Sequence, residues 1–181
     1  MKKVRNSLSF LCVIGIVSML FTGCSKDDVS TISDENFYKQ IAYSIALCYN
    51  DIYNQNVAGH PVGAFNSTVN GPMGGTVVIT GSTSGNGQIT TLDLVYAMSE
   101  VSYFKTSNGY STSITITGNS THTGSIFPGS TSQNHQATGM NIKGTVTYND
   151  IVRNIDSSGI ISINRSDANV SANIFGHTVS W

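Results

Sequence analysis

Charge is what this sequence has least of. Asp, Glu, Lys and Arg supply 10% of its 181 residues, against about 25% in an ordinary globular domain. Beyond residue 23 no basic cluster stands along the chain, which argues against a nucleic-acid partner. Cysteine is nearly as scarce, with only Cys12, Cys24 and Cys48. The first two fall in the N-terminal stretch described below. Cys48 is then left alone, no intramolecular disulfide is available, and stability must come from packing and backbone pairing. Long apolar runs are missing too. Leu8–Phe21 covers 14 residues, short of the ~20 that a bilayer-spanning helix needs.

What is present begins with Lys2, Lys3 and Arg5, a positive segment ahead of that apolar run. Thr22-Gly23-Cys24 closes the run, followed by Ser25-Lys26-Asp27-Asp28. This arrangement is a secretory signal that ends without an Ala-x-Ala-like site. It resembles the lipobox of bacterial lipoproteins, whose cysteine is acylated before the signal is cut. The acidic pair resembles the export tag of Bacteroidota surface lipoproteins. The resemblance implies residues 1–23 as signal peptide and Cys24 as the lipidated residue of an outer-membrane lipoprotein, with the cell surface favoured. Two or three acyl chains on Cys24, palmitate among them, hold such a protein firmly, whereas one chain binds only marginally. Residues 24–33 then read as the lipidated cysteine and a short polar tether.

Residues 34–181 are expected to form one domain, since a chain of about 150 residues can bury a full core. Beyond residue 23, six basic and ten acidic residues leave a net charge of −4. Ser33 suits a helix N-cap, and Asp34 and Glu35 suit the positive end of the helix dipole. Phe37, Ile41, Ile45, Cys48 and Ile52 recur at helical spacing, so a helix is expected from about Asp34 to Asn54. Cys48, inside that stripe, reads as a buried inert thiol.

After residue 55 the helical period does not return. Residues 55–74 read as a loop rich in Asn, Gly and Pro. Thr76–Thr80 opens a series of period-two segments that runs to Trp181, with a bulge or bend near Glu100. Asn86-Gly87, Asn108-Gly109 and Asn149-Asp150 read as hairpin turns, and Pro128-Gly129, Ser158-Gly159 and Asp167-Ala168-Asn169 as further turns. Residues 119–139, rich in Ser, Thr, Gly and Gln, read as a long mobile loop. The fold class is α+β, mainly β, with one N-terminal amphipathic helix packed on an antiparallel β-meander. Gly176–Trp181 resembles the closing strand of outer-membrane barrels, but the strands show too few apolar positions for a lipid-facing row. Trp181 is therefore expected in the core.

Catalytic constellations are weak. His60, His122, His135 and His177 stand in polar or turn contexts with no metal-ligand spacing, so they read as exposed loop residues with no metal or other cofactor. Asp93 and Glu100, seven apart, share a strand face only if a bulge intervenes. Arg153 and Asp156 read as a surface pair. The leading reading is a non-enzymatic binding or structural module at the cell envelope, its partners the membrane through Cys24 and a glycan, protein or lipid. A second is a carrier of an apolar ligand, with Phe37, Ile41 and Ile45 facing Leu94, Tyr96, Ile114 and Ile116 across a gap. A third is a surface hydrolase using Asp93 or His122. Replacing Cys24 by Ser is expected to abolish labelling with radioactive palmitate and to release the protein from the membrane fraction. Labelling and fractionation of the variant check this directly.

Overall fold

The computed structural model describes residues 31–181 apart from 87–88, 128–129 and 168. The signal, Cys24, the export tag and most of the tether lie outside the described residues. So do Gly87, Ala168 and the expected Pro128-Gly129 turn.

Helix α1 spans Asp34–Asn56. The Ser33 hydroxyl accepts from the Asn36 amide at 3.3 Å, and Asp34 and Glu35 fill the first turn. The helix runs two residues past the expected Asn54. It stops where Gly59 enters the left-handed region at φ +80°. Eight strands follow: β1 Gly63–Asn70, β2 Thr76–Gly85, β3 Thr90–Ser107, β4 Tyr110–Phe127, β5 Ser130–Tyr148, β6 Ile151–Ser166, β7 Asn169–Ile174 and β8 His177–Ser180. Each pairs antiparallel with its neighbours in chain order, a pure meander. Mainly β, with one helix N-terminal to the sheet among the described residues, is therefore the observed class.

The turns explain that order. Asn108-Gly109 joins β3 to β4 and Asn149-Asp150 joins β5 to β6, with φ at these four residues between +46° and +81°. Two left-handed residues in a two-residue link suit the natural twist of a hairpin, and only Gly, Asn and Asp take that conformation at low cost. Glu100 has φ +52°, and the β3–β4 register slips between Met98 and Val101. The bulge expected near Glu100 is there. It lets Met98 and Val101, three apart, both face inward. Further slips between Thr117 and Thr121 and between Ala137 and Met140 lie beside it on β4 and β5. Three adjacent bulges bend these strands sharply, which curls the sheet around α1.

The helix touches every strand from β3 to β8. Ile41, Ala42, Ile45, Cys48 and Ile52 have no exposed surface, and they meet Val77, Ile79, Leu94, Ile116 and Ile142 from the sheet, equally covered. Arg153 on β6 reaches over the helix start. Its guanidinium sits 3.8 Å from the centre of the Phe37 ring, 2.6 Å from the Asp34 carboxylate and 3.3 Å from the Ile32 carbonyl. The expected Arg153–Asp156 surface pair is thus replaced by a clamp between sheet and helix. Alternation puts Arg153 on the inner face, opposite Val146, and a carboxylate three residues away on the same strand falls on the outer one. Tyr103 adds a second tie, donating to the Asp51 carboxylate at 2.9 Å.

Three expectations fail here. Residues 119–139 are not a loop but the paired ends of β4 and β5. Their inward positions hold Ser120, His122 and His135, with only Ile126 and Ala137 apolar, so the alternation that marks a strand is weak although the two segments pair from Thr121 to Phe127. Residues 63–70 form edge strand β1, whose only apolar inward positions are Phe65 and Val69. Ser158-Gly159 continues β6 rather than turning, with Gly159 facing the slip opposite Met140.

Outward positions carry hydroxyls and amides, as in the row Thr80, Val95, Thr121, Gln136, Ser162, Asn173 and Thr178. Apolar inside and polar outside is the reverse of a lipid-facing barrel. Ile45→Ala is expected to destabilise the fold by about 3 kcal/mol through lost burial and an unfilled cavity. Val152→Ala, at a position 58% exposed, is expected to change it by less than ~0.5 kcal/mol. Urea denaturation of the two variants reads the contrast.

Candidate functional site

One register row crosses the whole sheet: Phe65, Gly81, Leu94, His122, His135, Ile163, Ala172 and Val179. Six of the eight are apolar or glycine on the side that meets α1, with the two histidines side by side in the middle making the exception. Gly81 is required by its backbone, at φ +121°, and a β-carbon there would strike the Asp93 carbonyl.

The histidines stack on each other, ring centres 4.0 Å apart and planes 23° apart. His135 also stacks on Tyr49 of the helix at 4.3 Å and 10°, and Tyr53 meets His122 edge-on at 5.8 Å. The Tyr96 hydroxyl lies 2.8 Å from His122 Nδ1, a hydrogen bond that either atom can donate depending on the imidazole tautomer. His122, Tyr49 and Tyr96 are buried, and His135 is 6% exposed.

Burial sets the charge of this cluster, because removing an ion from water costs more than removing the neutral group. It pushes His122 down to about 4, against a smaller opposing effect from the Gln133 side chain. His135 is held well below its ordinary value by burial first and by its neighbour His122 second. Burial drives the Tyr49 and Tyr96 phenols upward, and it lifts the Cys48 thiol to about 12, with the Asp51 carboxylate adding to the effect. The cluster is uncharged at neutral pH, and Cys48 is the inert thiol expected.

The edge of this cluster opens on a cavity of about 410 Å³ between α1 and strands β5 to β7. The helix contributes Tyr43, Ala46, Leu47 and Asn50; the strands contribute Gln133, His135, Ile163, Arg165 and Val170; Asp167 and Trp181 complete the wall. Tyr43 and Trp181 meet edge-to-face at 5.9 Å. Trp181 is held by a reciprocal backbone pair with Val170, 2.9 Å in each direction. It therefore lines a cavity at the margin of the core. Nδ1 of His135 is buried without a hydrogen-bond partner, an unusual condition for a polar atom in a folded protein.

The residues proposed for a ligand between helix and sheet sit elsewhere. Ile41, Ile45, Leu94, Tyr96 and Ile116 have no exposed surface, Ile114 has 1% and Phe37 has 5%. None of the seven borders the cavity, and only Tyr96 joins the histidine cluster. Asp93 and Glu100 are both exposed on the outer face, brought to one side by the bulge. His60 and His177 are exposed as expected, His177 stacked on Tyr38 at 3.6 Å. His122 and His135, expected on exposed loops, are the correction. Among the described residues no group of three or more His, Cys, Asp or Glu side chains is gathered closely enough to hold a metal ion. The chain matches no protein-family model, no curated protein and no solved structure.

Stability is expected to fall as pH drops from about 6.5 toward about 4. In that window the unfolded chain binds a proton at His122 that the folded chain refuses. His122 alone accounts for about 3 kcal/mol across the window, at about 1.4 kcal/mol per pH unit. Urea midpoints at pH 7, 5.5 and 4 should therefore drop more steeply for the native chain than for His122→Phe. Equal slopes would mean that the buried imidazole titrates normally.

Proposed function

We propose that this chain is a lipid-anchored outer-membrane lipoprotein, held through Cys24 and directed to the cell surface, whose helix-and-sheet domain binds a small ligand without transforming it. The observation that carries the binding reading is the cavity of about 410 Å³ with a nine-tenths buried imidazole in its wall. Its size falls within the usual range for small-molecule sites, and its lining mixes apolar walls with a few converging polar groups, as such sites do. Membrane attachment rests on Thr22-Gly23-Cys24 and the residues around it.

A binding role suits the chemistry better than a hydrolytic one. His122 meets the Tyr96 phenol and a second imidazole, both neutral, and burial makes that phenol harder to ionise, so the pair is not an activated nucleophile and base. Asp93 lies on the outer face, away from both histidines. An apolar carrier with its ligand deep between helix and sheet would need α1 to lift, because the side chains there leave no surface free. The seam beside His135 is open without that movement.

Native mass spectrometry of the gently purified protein tests the binding reading. A retained mass that organic extraction removes is expected, and Ala46→Phe, which fills the cavity, is expected to lose it. The same retained mass in both proteins would move the site away from this cavity, and a bare protein mass in both would leave the binding reading without support.

A further inference from the structure

The binding reading leaves the ligand's class open, and the wall of the cavity narrows it. On the apolar side stand Ala46, Leu47, Ile163 and Val170, together with the Tyr43 and Trp181 rings. The polar side is Asn50, Gln133 and His135, with Arg165 and Asp167. The first three are uncharged at neutral pH, since burial keeps the His135 imidazole in its neutral form. The last two carry opposite charges, and the Arg165 Nε–H donates to the Asp167 carbonyl at 3.3 Å. The lining thus offers no net charge to an ion.

A ligand with a full charge would have to shed its water here against neutral amides, an imidazole and two side chains of opposite charge, a lining whose charges offset each other and repay the lost hydration only in part. A purely apolar ligand would leave the polar edge of Asn50, Gln133 and His135 without a partner in the complex. A group that can both donate and accept a hydrogen bond serves amides and an imidazole of either tautomer alike, and a hydroxyl is the smallest such group. A sugar would bring hydroxyls on every edge, with more apolar wall than it could match.

We propose that this cavity takes an uncharged, ring-bearing small molecule, its ring against Leu47, Val170 and Trp181 and a hydroxyl directed to the polar edge of Asn50, Gln133 and His135. The proposal rests on the binding reading above and specifies its ligand class.

Trp181 is the only tryptophan in the chain, so its fluorescence reports on the surroundings of this wall, and Ala46→Phe separates this cavity from the neighbouring one that Trp181 also borders. The test titrates the full mature lipoprotein in detergent with p-cresol, with its anionic counterpart 4-methylbenzoate, and with methyl glucoside. Saturable quenching by p-cresol is expected, with 4-methylbenzoate and the glucoside weaker by about tenfold or more, the effect of losing roughly one good hydrogen bond or of leaving a charge unpaired. Ala46→Phe should abolish the p-cresol response. His135→Phe should weaken it by about tenfold, with circular dichroism showing that each variant keeps the native strand signal. If only one variant folds, that variant still decides. Tighter binding of 4-methylbenzoate or of the glucoside, sensitive to Ala46→Phe, would overturn the ligand class and leave the binding reading standing. Insensitivity of the p-cresol response to the folded variants would overturn the assignment of the ring or hydroxyl to this cavity. No saturable response to any probe, with a retained mass in native mass spectrometry, would defeat the class alone; with no retained mass it would defeat both.

Discussion

The structure depends on one helix covering the inner face of a curled sheet. Strands β3 to β6 are 16 to 19 residues long, and their inward rows cannot be left in water. The meander pairs each strand only with its sequence neighbours, so β1 and β8 remain edges and the sheet does not close on itself. Its apolar row must then be covered by something that is not sheet. The broad stripe of α1 does this, and the three side-by-side bulges of β3, β4 and β5 bend the strands to reach it. Hydrophobic burial supplies the drive, while bulges and left-handed turns decide where the sheet bends.

The same constraint explains the polar cluster. Where the inward row carries histidine, the helix presents aromatic rings rather than aliphatic side chains, and Tyr49 and Tyr53 lie on the imidazoles. Rings stacked on rings fill space as a core does, and the Tyr96–His122 hydrogen bond keeps two polar atoms satisfied. The cost appears in the depressed affinity of both histidines for protons. A buried neutral imidazole whose Nδ1 has no partner, placed against a cavity, is a local departure from the packing found elsewhere in this core. Such departures are where function tends to be found. This one is the observation on which a binding role for this domain is proposed.

Much of the fold was legible because its signals are local. The helix follows from Ser33 and the spacing of Phe37, Ile41, Ile45, Cys48 and Ile52. The meander follows from Asn-Gly and Asn-Asp turns, and the bulge at Glu100 from a break in alternation. The facing ends of β4 and β5 stayed hidden because their inward rows are mostly polar, which weakens the period that identifies a strand, and β1 because it offers only Phe65 and Val69 to that period. The hairpin register itself could have been found. His122 and His135 are symmetric about the Pro128-Gly129 step, so a tight connection there sets them opposite each other, although nothing local says that they point inward.

The sequence by itself determined one helix, a succession of strands with their turns, and an inert Cys48. These depend on residues within a few positions of one another, and on burial that periodicity makes visible. Only the tertiary structure decided that the two histidines would point inward under the helix, that Arg153 would clamp Phe37 and Asp34 rather than meet Asp156, and that Tyr43, Gln133, His135 and Trp181 would border one cavity. Those contacts with the helix join residues tens of positions apart. Their formation depends on how far the sheet curls around its helix, a property of all the strands together that no single stretch encodes.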